Sequence, residues 1–408
     1  MMKRIELKNS KLSDYFDNYT TSNDLSDWEE FHKKSFFTKR NDDTNKLIDQ
    51  FEYLLPDIVD QISDNVMIFS SLNEHFEEII SKGYLIVDRA AYNFLNEQYD
   101  ISYELSNISY IDDIDNGKKL ELIIDDCRKS SKPYLLAIGG GRTMDYAKFI
   151  SLKSGVKLLA IPSSLATHVY ASPKIHALEP IKDLGYKMTI DGNPAHLSFI
   201  DINVLSSLLI NNQRLVFSGF GDIMAFINAK YDWINSAKKG NERYSLFVDK
   251  SIDSVINILK NIDLTLPLSK WISEYIFIQC LLCHITDWVG SAPASGAEHL
   301  FAKCIEDDLT DAPLHGEVVA LGVLIFCYIR DKDIELTKLL LKKFNISVVF
   351  QELGINKESI IKALMHSSNE GLKKKRYTIL QDIDNSYDNF EAIVNKMING
   401  KFLKEFSS

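Results

Sequence analysis

Two histidines, His299 and His315, stand sixteen residues apart in the stretch 292-APASGAEHLFAKCIEDDLTDAPLHGEVVALG-322. Glu298 directly precedes the first, and Glu317 follows the second by two residues. Upstream, 219-GFGDIMAFINAKYDW-233 sets Asp222 at the opening of a long helical pattern. Taken alone, Asp222 reads as a helix N-cap, and two histidines beside acids read as ordinary packing. Taken together, they supply one carboxylate and two imidazoles from three helices. Three protein ligands with one position left open is what a catalytic zinc or iron site requires. Spacing leaves both readings open.

A second group of residues suits phosphate. In 134-YLLAIGGGRTMDYAKFISL-152 a buried strand runs into Gly139, Gly140 and Gly141, then into a helix carrying Thr143, Asp145 and Lys148. Glycine lets a backbone approach a ligand closely. The N-terminus of the following helix offers free N–H groups that suit a pyrophosphate. The pattern is neither G-x-G-x-x-G nor a Walker loop, and a plain strand-to-helix turn is the bland alternative. The next strand ends in 161-IPSSLATHVYASPKIHALE-179, a polar loop holding Ser163, Ser164, Thr167 and His168. The carboxyl edge of an open sheet is where α/β proteins bind ligands.

These groups need a frame to position them. VMIFSS (66–71), GYLIVD (83–88), ISYIDDI (108–114), YLLAIGGG (134–141) and KLLAIPSS (157–164) read as strands separated by helical patterns, which implies a parallel sheet with crossover helices. After about residue 205 the strands stop. Helical periodicity covers 216–237, 246–262, 268–290, 296–307, 315–330 and 333–344. The reading is a Rossmann-like α/β domain over 61–205, an all-helical domain over 206–408, and an N-terminal extension over 1–60. The extension is polar with scattered aromatics, and reads as an added arm or as short docked helices.

Bulk properties narrow the classes. A net charge of −11 without a long basic block argues against nucleic acid as a partner. The longest apolar run, 318-VVALGVLIFCYI-329, makes one buried helix and is too short to span a membrane. The N-terminus lacks a hydrophobic signal core. Five cysteines, mostly in apolar surroundings, read as reduced thiols of a cytoplasmic protein. CLLCH (280–284) has the form of a haem attachment motif but lies in an apolar helix, where core cysteines and a satisfied histidine are the better reading. The acidic EDDLTDA (306–312) reads as a solvated loop, KKKRY (373–377) as one exposed helix face, and His196 as a turn residue.

GGGRTMDYAK, IPSSLATHVYASP, GFGD, PASGAEH and LHGE occur in the order and rough spacing of the metal-dependent polyol dehydrogenases. The chain resembles that family over roughly residues 65–345, and most closely its sn-glycerol-1-phosphate branch. The resemblance implies the dehydroquinate synthase-like, iron-containing alcohol dehydrogenase-like fold. It implies one Zn²⁺ on Asp222, His299 and His315, with Fe²⁺ the alternative. Gly139, Gly140 and Gly141 would cradle the pyrophosphate of NAD or NADP, with Asp145 and Lys148 beginning the next helix. Ser163, Ser164 and Thr167 would line the cofactor and substrate side, and Asp88 would read the adenosine ribose. The implied substrate is a small phosphorylated polyol or sugar, reduced or oxidised with the metal as Lewis acid, and a homo-oligomer is expected.

Two departures stand out. The family usually has Asp where this chain has His168, and its glycerol-1-phosphate branch often has Arg at the place of Ala292. The second removes a bidentate phosphate donor, and the first introduces an imidazole that could hold positive charge or donate a proton. His168 is therefore a candidate proton donor. A sugar-phosphate cyclase of the dehydroquinate synthase type, using NAD transiently, is the alternative reaction on the same fold. A non-catalytic relative is the alternative class.

Overall fold

The computed structural model describes residues 42–63, 65–99, 107–186, 189–309, 313–350, 352–373 and 376–400. The arm expected at the N-terminus lies mostly outside the described residues. The described chain forms two compact units, one of 42–212 with 263–283, the other of 213–262 with 284–400.

The first unit is built on a seven-stranded sheet. Its strands are β1 (Ile58–Ser63), β2 (Val66–Phe69), β3 (Gly83–Val87), β4 (Ile108–Tyr110), β5 (Tyr134–Gly139), β6 (Lys157–Pro162) and β9 (Leu197–Asp201). Their order is β1-β2-β9-β6-β5-β3-β4, parallel throughout except for the β1–β2 pair. Strands β7 (Lys174–His176) and β8 (Thr189–Asp191) pair separately as a small hairpin. Every residue of β2, β3, β5 and β9 is buried. The continuous apolar runs of β2, β3 and β5 belong to parallel strands covered on both faces. The covering helices include α1 (Asp42–Gln50), α2 (Asn73–Lys82), α3 (Arg89–Tyr99), α4 (Gly117–Lys129) and α5 (Gly141–Ser154), with the short α6 (Glu179–Lys182) and α7 (Ile202–Asn211) following. Leu47, Ile48 and Phe51, from the end of α1 and the turn after it, join the sheet core beside Tyr134 and Phe199.

Three differences from the sequence pattern appear here. The sheet begins at Ile58, with an edge strand whose half-exposed residues mask its character. β9 inserts between β2 and β6, although its stretch LSFID, with a serine and an aspartate in five residues, resembles a turn. The expected strand over 108–114 stops at Tyr110 and continues as a 3-10 turn.

The second unit is helical. It contains α8 (Gln213–Ile223), α9 (Ala225–Lys238), α10 (Leu246–Asn261), the last part of α11 (Leu268–Val289), α12 (Ala297–Asp308), α13 (His315–Arg330), α14 (Ile334–Lys343), α15 (Lys357–Lys373) and α16 (Tyr387–Asn399). α13 is its centre: residues 316–327 are all buried, and the helix packs against α8, α9, α12 and α14. A helix apolar all round is a buried one. The helix expected over 216–237 is two helices, α8 and α9, broken at Met224. The backbone tightens there, with Ile227 N–H bonded three residues back to Met224 O. Asp222 therefore closes α8, correcting its expected place at the opening of a helix. Among the described residues no helix is long and apolar enough to cross a membrane.

Candidate functional site

The metal candidates depend on how closely α8 meets the start of α13. A Cβ on Gly221 would lie 2.2 Å from Gly316 O, and one on Gly316 would lie 1.7 Å from Ser218 O. Only glycine permits this backbone contact. Arg214 of α8 adds a bidentate pair to the buried Glu317 of α13, at 2.5 and 2.7 Å. The result sets Asp222 beside His315, with Asp222 Oδ1 3.7 Å from His315 Nε2. α12 brings His299 Nε2 to 3.1 Å from the same oxygen. One ligand atom from each of Asp222, His299 and His315 lies within 4.8 Å of the others.

The outer nitrogens are also fixed. His299 Nδ1 lies 3.0 Å from Glu298 Oε1, and His315 Nδ1 lies 2.6 Å from Glu306 Oε1. A carboxylate behind Nδ1 selects the tautomer and turns Nε2 toward a metal. Both imidazoles and the Asp222 oxygen thus converge as a divalent ion requires. The neighbouring carboxylates also set the charge of the two imidazoles. Burial pushes His299 down, but Asp222 and Glu298 outweigh it and raise its pKa to about 9. Burial also opposes protonation of His315, yet Glu306 and Asp222 raise it. Burial would lift Glu298, but His299 and its hydrogen-bond donors hold it below the ordinary range.

In the sheet unit the other candidates leave one edge. β6, β5 and β3 are neighbours, pairing Val87 with Ile138 and Gly139 with Pro162. Asp88, the glycine turn and Ser163 therefore emerge side by side. Asp88 Oδ1 accepts Ala91 N–H at 2.6 Å and Oδ2 accepts the Thr143 hydroxyl at 3.3 Å. A Cβ on Gly139 would strike both partners, at 2.2 Å from Thr143 Oγ1 and 2.6 Å from Asp88 Oδ2. Gly140 has nothing within 4 Å of its Cβ position, so the turn is open at that point. Thr167 Oγ1 stands 3.1 Å from the Cβ position of Gly141.

Comparisons place the chain among known proteins. A family model described as iron-containing alcohol dehydrogenase matches residues 70–207. The glycerol-1-phosphate dehydrogenase [NAD(P)+] of Sulfurisphaera tokodaii is 30% identical over 353 residues, covering 84% of this chain and 95% of its own length. The chain belongs to the iron-containing alcohol dehydrogenase family. The enzyme of the same name from Archaeoglobus fulgidus is 30% identical over 64% of this chain and 74% of its own. Among solved structures, glycerol dehydrogenase from Schizosaccharomyces pombe matches with a TM-score of 0.61 and 16% identity, covering 84% of this chain and 91% of that one. A probable glycerol dehydrogenase from Sinorhizobium meliloti matches at 0.58 and 14%, covering 82% and 95%. These two likenesses concern the fold.

Within this family fold, Asp145 and Lys148 sit differently from the other candidates. Both are buried, 3.5 Å apart, with internal partners. Asp145 accepts His176 N–H at 3.0 Å, and Lys148 Nζ bonds Ser172 O and Lys174 O. Burial raises Asp145 and lowers Lys148 despite their pairing. Their side chains anchor the segment after the Ser163–His168 loop. That loop is pinned again by the N-terminal part of α11: Tyr275 Oη and Gln279 Nε2 donate to Leu165 O at 2.7 and 3.0 Å. Ser164 is engaged locally, accepting Ala166 N–H at 3.1 Å. His168 is half-buried on this loop, its carbonyl accepting Ala171 N–H.

Several side chains escaped the sequence pattern. Glu306 belongs to α12 and backs a ligand, correcting its reading as part of a solvated loop. It lies seven residues, two helical turns, beyond His299, and that spacing was its available signal. Arg376, from the run read as an exposed helix face, bonds Ser295 O, Ser295 Oγ and Ser291 Oγ at 2.7 Å each. Cys280, Cys283 and His284 are buried within α11, and burial raises Cys280 to about 12, as for a structural thiol.

Proposed function

We propose that this chain is a metal- and NAD(P)-dependent dehydrogenase that interconverts dihydroxyacetone phosphate and sn-glycerol 1-phosphate, or a closely related polyol or sugar phosphate. The observation that carries the reading is the pair of imidazoles, each backed by a carboxylate and converging on Asp222. The iron-containing alcohol dehydrogenase description of the matching family model supports the metal, and the relative named for glycerol 1-phosphate and NAD(P)+ supports the substrate and cofactor. Bound there, a divalent ion, zinc or alternatively iron(II), would polarise a substrate oxygen while a nicotinamide carries the hydride.

The residues divide that work. Asp222, His299 and His315 hold the ion, and Glu298 and Glu306 keep both Nε2 atoms toward it. Gly140 leaves the space through which a pyrophosphate reaches the backbone at the start of α5. Gly139 and Gly141 let Asp88, Thr143 and Thr167 crowd that turn. Asp88, its position set by Ala91 and Thr143, reads the adenosine ribose. Asp145 and Lys148 act as positioning residues for the loop that carries Ser163, Ser164 and Thr167. His168 on that loop donates the proton that completes ketone reduction.

The test is oxidation of NADH and NADPH by the zinc-loaded protein with dihydroxyacetone phosphate, beside dihydroxyacetone and a panel of keto-sugar phosphates. Turnover with dihydroxyacetone phosphate, lost with a chelator and restored by zinc, is the expected result. Turnover of another ketone alone would keep the dehydrogenase and move the substrate. Silence across the panel, with metal and cofactor bound, would overturn the reading in favour of a cyclase or a non-catalytic relative.

A further inference from the structure

His299 is held by more than the residue beside it. Glu298 is fully buried, and a buried carboxylate needs a donor for each oxygen. Its Oε1 accepts Gly296 N–H at 2.6 Å and faces His299 Nδ1. Its Oε2 accepts Nδ2 of Asn228 at 2.5 Å. Asn228 is fully buried too, and its Oδ1 accepts Arg330 Nε at 2.9 Å. The Arg330 guanidinium continues to Asp232. Asp232 in turn accepts the N–H of Ala297, the first residue of the helix that bears His299, at 2.9 Å. The bonds form a closed circuit around one end of α12.

We propose that Asn228 and Arg330 are positioning residues for the metal ligand His299, acting through Glu298. An amide placed between a carboxylate and a guanidinium fits only one way round, with its NH₂ toward the acid and its oxygen toward the base. Asn228 therefore fixes the plane of Glu298, and Glu298 fixes the imidazole. Stability gives a weak reason for such a network, because buried ionic groups contribute about as much as apolar packing of the same volume. Orientation gives a better one: an outer partner of a ligating histidine sets where Nε2 points. The placement in sequence agrees. Asn228 and Asp232 are four apart on α9, and Arg330 ends the same helix that His315 begins.

The inference rests on the metal reading of the site, and the experiment separates the two. Cobalt(II) is titrated into the full chain, with affinity from chelator competition and geometry from the visible absorption bands. Wild-type protein should bind one equivalent, and His299→Ala should lose it. Asn228→Asp keeps the volume but offers Glu298 an oxygen where a donor stood. It should bind cobalt about tenfold or more weakly, with altered bands, while circular dichroism shows native helix content. Arg330→Lys, which keeps the charge and loses the fork, should weaken binding several-fold. A folded Asn228→Asp protein with wild-type affinity and bands overturns the proposal, whatever its melting temperature. Should that variant fail to fold, unchanged cobalt binding by Arg330→Lys overturns it equally. No cobalt binding by the wild type, or wild-type binding by His299→Ala, would remove the metal reading itself and this inference with it.

Discussion

The two carboxylates behind the metal centre differ in exposure: Glu298 is wholly buried, while the Glu306 side chain is 29% exposed. That difference separates their mutants. Replacing Glu306 by Gln leaves no charge stranded in the interior, so folding should be little changed. His315 would keep an amide acceptor but lose the negative charge that holds its Nδ1–H and raises its basicity, and metal affinity should fall by about tenfold. Chelator competition beside a thermal melt of the metal-free protein checks this. Unchanged affinity would show that Glu306 is only a surface neighbour. At this scale the sequence was informative about residue types: Asp222, His299 and His315 stood out as chemistry. It was silent about Asn228 and Arg330, which look like any amide and base on a helix until their partners are known.

At the scale of elements, glycine positions decide what can meet. α8 and α13 touch backbone to backbone at Gly221 and Gly316. Gly316→Ala should force the helices apart, at a cost of roughly 1–3 kcal/mol, and should weaken metal binding because Asp222 and His315 move with their helices. Denaturant midpoints with and without cobalt measure both effects. Gly140→Ala makes the opposite prediction. Its φ of −85° and ψ of −162° suit alanine, and nothing lies near the added methyl. Stability should stay within about 0.5 kcal/mol of wild type while NAD(P) binding weakens, as the methyl occupies the space given to pyrophosphate. Equal cofactor affinity in the two proteins would show that the turn is only a turn.

At the scale of the whole molecule, buried titratable groups couple stability to pH. Burial alone pushes His284 down to about 3. Unfolded, it titrates near 6.5, so between those values the unfolded chain carries a proton that the folded chain excludes. Stability therefore falls as pH falls below about 6.5, by up to roughly 1.4 kcal/mol per pH unit from this group. His284→Gln should flatten that slope in urea unfolding at pH 7, 6 and 5. An unaltered slope would assign the dependence to other groups.

The sequence alone determined what is local. Unbroken apolar runs such as YLLAIG marked strands buried on both faces, and VVALGVLIFCYI marked a helix buried all round, because periodicity and burial are written residue by residue. Ordered motifs such as PASGAEH and LHGE pointed to the family and to three ligand candidates. Tertiary structure decided what depends on distant partners. β9 took a central place because β2 and β6 flank it, despite a polar stretch that resembles a turn. Asp222 moved to the end of a helix because the backbone tightens at Met224. Glu306 and the Asn228–Arg330 circuit became part of the site through hydrogen bonds between separate helices, Asn228 and Arg330 lying 102 residues apart. Such pairings follow from how helices pack, and local pattern carries no record of them.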